Sequence, residues 1–203
     1  MIGNDIIDLK YANFSAKHLT ERYLDKVLTK SEKTLMQQAQ DKVSFFWTCW
    51  ALKESTYKIT NKLSRVRKFN PRQYECQFSN NSSENSFAAK IETTLGTFQA
   101  EVESNEHCIH VLVNTDALAP IQCQVHKINV CNHQHQSQQA RLLLKEMLSA
   151  DMKCSKDLIE LKNIDPWPGV WVKGRLIEEL DLTISHHGHW VSVAYQVLST
   201  RTT

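Results

Sequence analysis

The spacing of apolar and polar positions changes along the chain, and each change marks a predicted element. Met1–Leu9 sets Ile2, Ile6 and Ile7 around Asp5 and reads as a short strand. Side chains alternate along a strand, so Asp5 and Ile7 share one face and Asp8 takes the other. Residues 15–28 have helical spacing. Thr29-Lys-Ser-Glu32 fits a capping box and predicts a second helix to about Asp41. Phe45–Thr60 is predicted as a third helix. In it Phe46, Trp50, Glu54 and Lys58 recur at four-residue intervals, so one row starts apolar and ends charged. Asn61–Asn70 follows as a basic loop with Lys62, Arg65, Arg67 and Lys68.

From Arg72 the period shortens. Tyr74–Phe78, Ser86–Glu92, Thr97–Val102 and Cys108–Val113 are strand-like, with turns at Asn80–Asn85 and Leu95-Gly96. This predicts an antiparallel sheet packed on the preceding helices. Asp116–Ser137 is a polar connector containing Pro120, and the boundary between two lobes, 1–115 and 116–203, is placed there. Gln138–Met152 is predicted as a helix with Leu142, Leu143, Met147 and Leu148 as its core stripe. Asp165–Gly169 is a loop. The final strands are Leu182–Ser185 and Trp190–Leu198. The fold class is α+β.

Composition narrows the function classes. The chain has 203 residues, 41% hydrophobic and 23% charged, with a formal net charge of +2. That suits a globular protein and gives no ground for a nucleic-acid partner. No apolar run approaches the roughly 18 residues needed to span a bilayer, so no membrane partner is expected. The opening residues lack the basic and apolar regions of a signal peptide. The six cysteines are therefore expected to be reduced thiols in the cytoplasm. With five glycines and neither a Walker loop nor Gly-x-Gly-x-x-Gly, a nucleotide-binding P-loop or Rossmann site is excluded.

Three constellations could carry chemistry. Asp5 and Glu54, carboxylates from separate elements in apolar settings, suit a hard cation such as Mg²⁺, which takes one or two protein carboxylates and fills its shell with water and phosphate oxygens. The plain alternative is a strand-end cap and a surface Glu–Lys pair worth a few tenths of a kcal/mol. Ser185-His186-His187-Gly188 ends a strand with groups able to bind phosphate. Neighbours on a strand point to opposite faces, which disfavours a Ser–His nucleophile pair. Cys123, His126, Cys131, His133 and His135 are zinc-type ligands at a spacing that matches no standard site, so a zinc-stabilised interaction module stands beside a solvated linker.

Together these pieces resemble the 4′-phosphopantetheinyl transferase superfamily. Gly3-Asn-Asp-Ile-Ile-Asp8 is similar to its G-I-D-I-x-[DE] strand. Phe46-x-x-x-Trp50-x-x-Lys53-Glu54-Ser55-x-x-Lys58 is similar to its F-x-x-x-W-x-x-K-E-[SA]-x-x-K helix. Ile184-Ser-His-His-Gly188 is similar to its S-H-S-G strand end. The resemblance implies the family fold, two pseudo-symmetric lobes each with a small antiparallel sheet on helices. The motif order implies a circular permutation of the two-lobed, surfactin-type enzymes. It also implies one complete site per monomer.

The activity implied is that of a holo-acyl-carrier-protein synthase: the 4′-phosphopantetheine arm of coenzyme A moves to a serine of an apo carrier protein of fatty-acid, polyketide or peptide synthesis, and 3′,5′-ADP leaves. The implied roles are Mg²⁺ at Asp5 and Glu54, Glu54 as base, and Lys58 beside the α-phosphate, with Lys53 in support. Ser185 and His186 would meet the 3′-phosphate and ribose, with Arg141 and Lys173 as further phosphate contacts. The basic loop Lys62–Lys68 would dock the acidic carrier. A non-catalytic relative that binds coenzyme A or the carrier is the alternative. The sequence departs from the family pattern at Ile7, where many two-lobed members have a second acid, and at Asn4 and His187.

Overall fold

The computed structural model describes residues 1–12, 19–82, 85–115, 120–164 and 167–198. Strand β1 (Ile2–Asp8) leads into the short helix α1 (Leu9–Ala12), then α2 (Glu21–Val27), α3 (Lys30–Gln38) and the long α4 (Lys42–Ser64). Strands β2 (Glu75–Ser82), β3 (Ser86–Thr93), β4 (Gly96–Ser104) and β5 (Cys108–Asn114) follow. Next come β6 (Gln122–Lys127), α5 (His133–Asp151), β7 (Ile159–Ile164), β8 (Trp167–Val172), β9 (Arg175–Leu176), β10 (Leu180–His187) and β11 (Trp190–Val197). The strands form a five-stranded sheet in the order β1-β5-β4-β3-β2 and two three-stranded sheets, β10-β11-β6 and β7-β8-β9. The pairings within each sheet are antiparallel, as the α+β reading expects.

Local chemistry explains most of these elements. Thr29 and Glu32 close the capping box of α3 reciprocally. Asp41 caps α4 by accepting from the amides of Val43 and Ser44, and Arg65 ends it in the left-handed conformation at φ 62°. Phe98, Ala100 and Val102 alternate inward along β4 between exposed neighbours. Almost all of β1 and β5 is buried, because α4 covers one face and the β10-β11-β6 sheet covers β1 from the other. One apolar cluster joins α4 to the large sheet through Phe46, Leu52, Ile59 and Val111. A second joins α5 to β10 and β11 through Leu144, Leu148, Leu182 and Val193.

Four expectations are corrected. Helix α4 runs on to Ser64, so Lys62 is helical and does not belong to a solvated basic loop. The polar connector 116–137 contains β6, and α5 begins already at His133. The expected turn Asn80–Asn85 is shortened by β2, which reaches Ser82. Trp167–Gly169, expected as part of a loop, lies in β8. The start of the helix expected at 15–28 lies outside the described residues, and its described part is α2.

Lys53 also departs from expectation. It is fully buried, and its ammonium is ringed by Glu32 Oε2 at 2.7 Å and the carbonyls of Val27, Tyr74 and Pro71 at 2.9, 2.8 and 3.1 Å. Glu32 in turn accepts from the amides of Thr29 and Cys76. This closed network ties α2, α3, α4 and the approach to β2 together, and leaves Lys53 no path to a phosphate. Lys53→Met would strand the Glu32 carboxylate in the interior, and removing one partner of a buried pair costs about 3–5 kcal/mol. Urea unfolding of Lys53→Met should show a loss of that order. A loss below about 1 kcal/mol would show that the network is not a structural hub.

Candidate active site

The site grows from the outer edge of β1. On one side β1 has the backbone of β5. On the other, its free N–H groups meet side chains of β10. Ile2 donates to Asp181 Oδ2 at 2.6 Å, Asn4 to Thr183 Oγ1 at 3.2 Å, Ile6 to Ser185 Oγ at 2.9 Å and Asp8 to His187 Nδ1 at 2.9 Å. Alternate residues of each strand take part, and the two strands run in the same direction. The carbonyls on this edge are met by α4. Lys62 bridges Ile2 O and Leu182 O, both at 2.9 Å, and pairs with Asp181 at 2.6 Å. Lys58, one turn earlier, bridges Asn4 O at 2.6 Å and Ile184 O at 3.4 Å. Two ammonium groups and four side-chain acceptors thus stitch the two sheets together without a backbone ladder.

The next step along α4 brings Glu54. Gly3 sets the depth of this contact: a Cβ there would lie 2.0 Å from the Ser55 carbonyl oxygen, so only glycine lets α4 come this close. Asp5, two residues on and on the same face, is buried beside Lys58 at 3.7 Å and accepts from Ser185 Oγ at 2.8 Å. Glu54 is half-buried. Burial pushes its carboxyl up, Lys58 draws it back down, and Asp5 pushes it up again. Among the described residues Glu54 makes no hydrogen bond or ion pair. A half-buried acid with no neutralising donor, facing a second acid, is a donor set that a hard divalent cation fits. Ile7, on the same face, is part of the apolar core and offers nothing to it.

Beside this pair lies a cleft of about 370 Å³ between α4, α5, β8 and β10, with Lys58, Lys62, Arg141, His186, Tyr57 and Trp167 in its walls. Its lysine, arginine and histidine groups stand among neutral polar side chains, and among the described residues no carboxylate is in the walls. His186 is pushed down by burial and by His133, whose ring stands edge-on at 5.0 Å. At the far wall Arg65 lies 4.4 Å over the Trp167 ring, and the Trp167 indole donates to Asn61 Oδ1.

Three expected site residues lie elsewhere or are already engaged. Lys173 sits exposed in the β8–β9 turn at φ 50°, outside the cleft walls. Lys53 is in the buried network. The Ser185 hydroxyl is taken up by Ile6 and Asp5, and its residue is 4% exposed. The zinc-type ligands do not converge. Among the described residues only Glu32, Cys49 and Cys76 bring three ligand atoms together, and there Lys53 neutralises Glu32. The sequence reading missed Asp181 and put Lys62 in a docking loop instead of the seam. Both were within reach, because Lys62 is the next member of the Phe46–Lys58 row, and Asp181, Thr183, Ser185 and His187 alternate.

A buried polar string backs the site. Thr183 donates to Asn4 Oδ1, and Asn4 Nδ2 donates to Ser192 Oγ at 2.8 Å. Ser192 Oγ in turn shares a hydrogen bond with His110 Nε2 at 2.9 Å. Asn4 therefore uses both ends of its amide, which accounts for its place in an apolar strand.

An acidic pair, a lysine between the sheets and a cleft with basic walls therefore lie side by side at this seam. The family model for the 4′-phosphopantetheinyl transferase superfamily matches residues 1–112 of this chain. That is more than half of the 203 residues, and the chain belongs to this superfamily, whose members carry out phosphopantetheinyl transfer. The match covers Asp5, Glu54 and Lys58, and stops before Arg141 and His186. Among curated proteins none matches the chain.

His110 gives this region a pH dependence. Burial, then Lys58, pushes its imidazole down to about 4. The folded state therefore binds its proton less readily than the unfolded chain, whose histidine titrates near 6.5. This contribution is complete above pH 6.5 and is lost as pH falls towards 4. Unfolding free energy should drop between pH 6.5 and 4 by up to about 1.4 kcal/mol per pH unit from this group. Chemical denaturation across that range should show a shallower slope for His110→Asn.

Proposed function

We propose that the protein transfers the 4′-phosphopantetheine arm of coenzyme A to a serine of an apo carrier protein, as a holo-acyl-carrier-protein synthase does. The observation that carries this reading is the meeting of Asp5, Glu54 and Lys58 at one step of the seam between sheets, with Lys58 also in the wall of the basic cleft. Asp5 and Glu54 would hold Mg²⁺, which when bound neutralises charge on the pyrophosphate of coenzyme A. Glu54, directly or through a water, takes the proton of the carrier serine. Its raised carboxyl pKa suits it to this better than an ordinary surface glutamate. The serine oxygen attacks the β-phosphorus, the bond to the α-phosphate oxygen breaks, and 3′,5′-ADP leaves with its negative charge facing Lys58. Arg141 and His186 then serve the nucleotide end of coenzyme A in the cleft, with Trp167 as an apolar wall.

The same reading gives one site per monomer, because every group named comes from one chain. It takes residues 1–115 as the metal and catalytic lobe and 116–203 as the lobe that binds coenzyme A, in permuted order. The exposed Arg67 and Lys68 remain candidates to steer an acidic carrier, whereas Lys62 is committed to Asp181. No described helix is long and apolar enough to cross a membrane.

Purified protein mixed with coenzyme A, Mg²⁺ and a panel of apo carriers from fatty-acid, polyketide and peptide synthesis should add the phosphopantetheine arm to at least one, read by intact mass. Chelation with EDTA should stop the reaction. Glu54→Gln should slow it by about 10²–10⁴-fold with the fold intact. Tight binding of coenzyme A without transfer to any carrier would instead mark a non-catalytic binding relative.

A further inference from the structure

The Ser185 hydroxyl does two things at once. It accepts the Ile6 N–H at 2.9 Å and donates its own hydrogen to Asp5 Oδ1 at 2.8 Å. Both contacts are buried, and Ser185 is absent from the cleft walls that include its neighbours Ile184 and His186. We infer that Ser185 is a positioning residue for Asp5: it fixes the carboxylate by one oxygen and so presents the other to the cation, and it does not bind the nucleotide. This inference rests on the reading of Asp5 and Glu54 as the metal-holding pair.

Three observations support it. The other seam residues on β10 are simple acceptors at this edge or pass their hydrogen bonds to groups away from the acidic pair. Asp181 serves Ile2 and Lys62, Thr183 serves the backbone amide and side-chain oxygen of Asn4, and His187 serves Asp8. Ser185 alone among these four donates to a residue of the acidic pair. A serine also fits the geometry, because a hydroxyl can accept and donate together, whereas Ala can do neither and Asp could not donate. Finally, Asp5 Oδ2 has no hydrogen bond among the described residues, while Oδ1 has this one. A carboxylate pinned by one oxygen loses rotamer freedom before any ligand arrives. Partners of this kind, one step behind a metal ligand, typically alter metal affinity by about 10–100-fold.

The test separates this role from a nucleotide contact and from a merely structural one. Mn²⁺ is titrated into the protein alone, with the free ion followed by electron paramagnetic resonance. Ser185→Ala should bind Mn²⁺ about 10-fold or more weakly. Ser185→Thr, which keeps the hydroxyl, should restore most of the affinity. Thr183→Ala removes another seam contact and should lower the melting temperature without a comparable loss of Mn²⁺ affinity. In the transfer assay, Ser185→Ala should raise the Mg²⁺ concentration for half-maximal rate equally with coenzyme A and with 3′-dephospho-coenzyme A. Unchanged Mn²⁺ affinity in Ser185→Ala, with a KM raised for coenzyme A but not for the dephospho form, would overturn the inference and return Ser185 to the 3′-phosphate. Equal Mn²⁺ losses in Ser185→Ala and Thr183→Ala would also overturn it, by reducing Ser185 to a seam contact. A wild-type protein that binds no Mn²⁺ would overturn the two-carboxylate reading itself.

Discussion

The structure depends on how β1 satisfies its second edge. A strand edge carries a row of N–H and C=O groups that must find partners once buried. Here the partners are short polar side chains of β10 and two lysines of α4, not another backbone. This fixes three things together: the separation of the two sheets, the height of α4 over β1, and the sequence of charges along the α4 row. Gly3 permits the approach, and the carbonyls of Ile2 and Asn4 draw Lys62 and Lys58 into place. The chemistry of the site is therefore an extension of the way the molecule is held together.

Three lysines of α4 show how burial decides role. Lys53 is enclosed by four oxygens and is purely structural. Lys62 is paired with Asp181 and two carbonyls, and burial still pushes its ammonium pKa down ahead of the opposing pull of Asp181. Lys58 has only two carbonyls and a distant Asp5, so its charge is the least committed of the three. Glu54 breaks the series: a carboxylate cannot donate to carbonyls as the lysines do, and among the described residues it has no donor of its own. The row runs from fully satisfied to unsatisfied groups over little more than two turns of helix.

Much of this was legible in the sequence. The four-residue row through Glu54 and Lys58, the capping box of α3 and the alternation of β4 are local patterns, and local patterns survive folding. Asp5 and Glu54 could be paired because each is a carboxylate in an apolar setting, and the resemblance strengthened the pairing, since nothing local relates residues 5 and 54. The burial of Lys53 was hidden for a plain reason: three of its four oxygens are backbone carbonyls, which leave no mark on sequence. Strand β6 was hidden because Gln122, Gln124 and His126 make its outward face polar and the strand is only six residues long. Strand β8 was hidden by Pro168 and Gly169, which ordinarily punctuate loops. Ser185 was found for its type but assigned by analogy; its actual partners are visible only once β1 and β10 lie side by side.

The stitched edge also limits how the chain can vary in length. In an ordinary backbone ladder a slip of two residues restores every hydrogen bond, and side chains adjust. In this seam a slip of one residue would set Leu182 and Ile184 against the amides of β1, with no acceptor to offer. A slip of two would again put oxygen or nitrogen opposite each amide, so the halves would still join, but Ser185 would face the wrong rung and Asp5 would lose its hydroxyl. A single insertion or deletion inside β10 therefore threatens cohesion, and a paired one threatens only the acid. Indels should be tolerated in the turns that flank β10 and not within it.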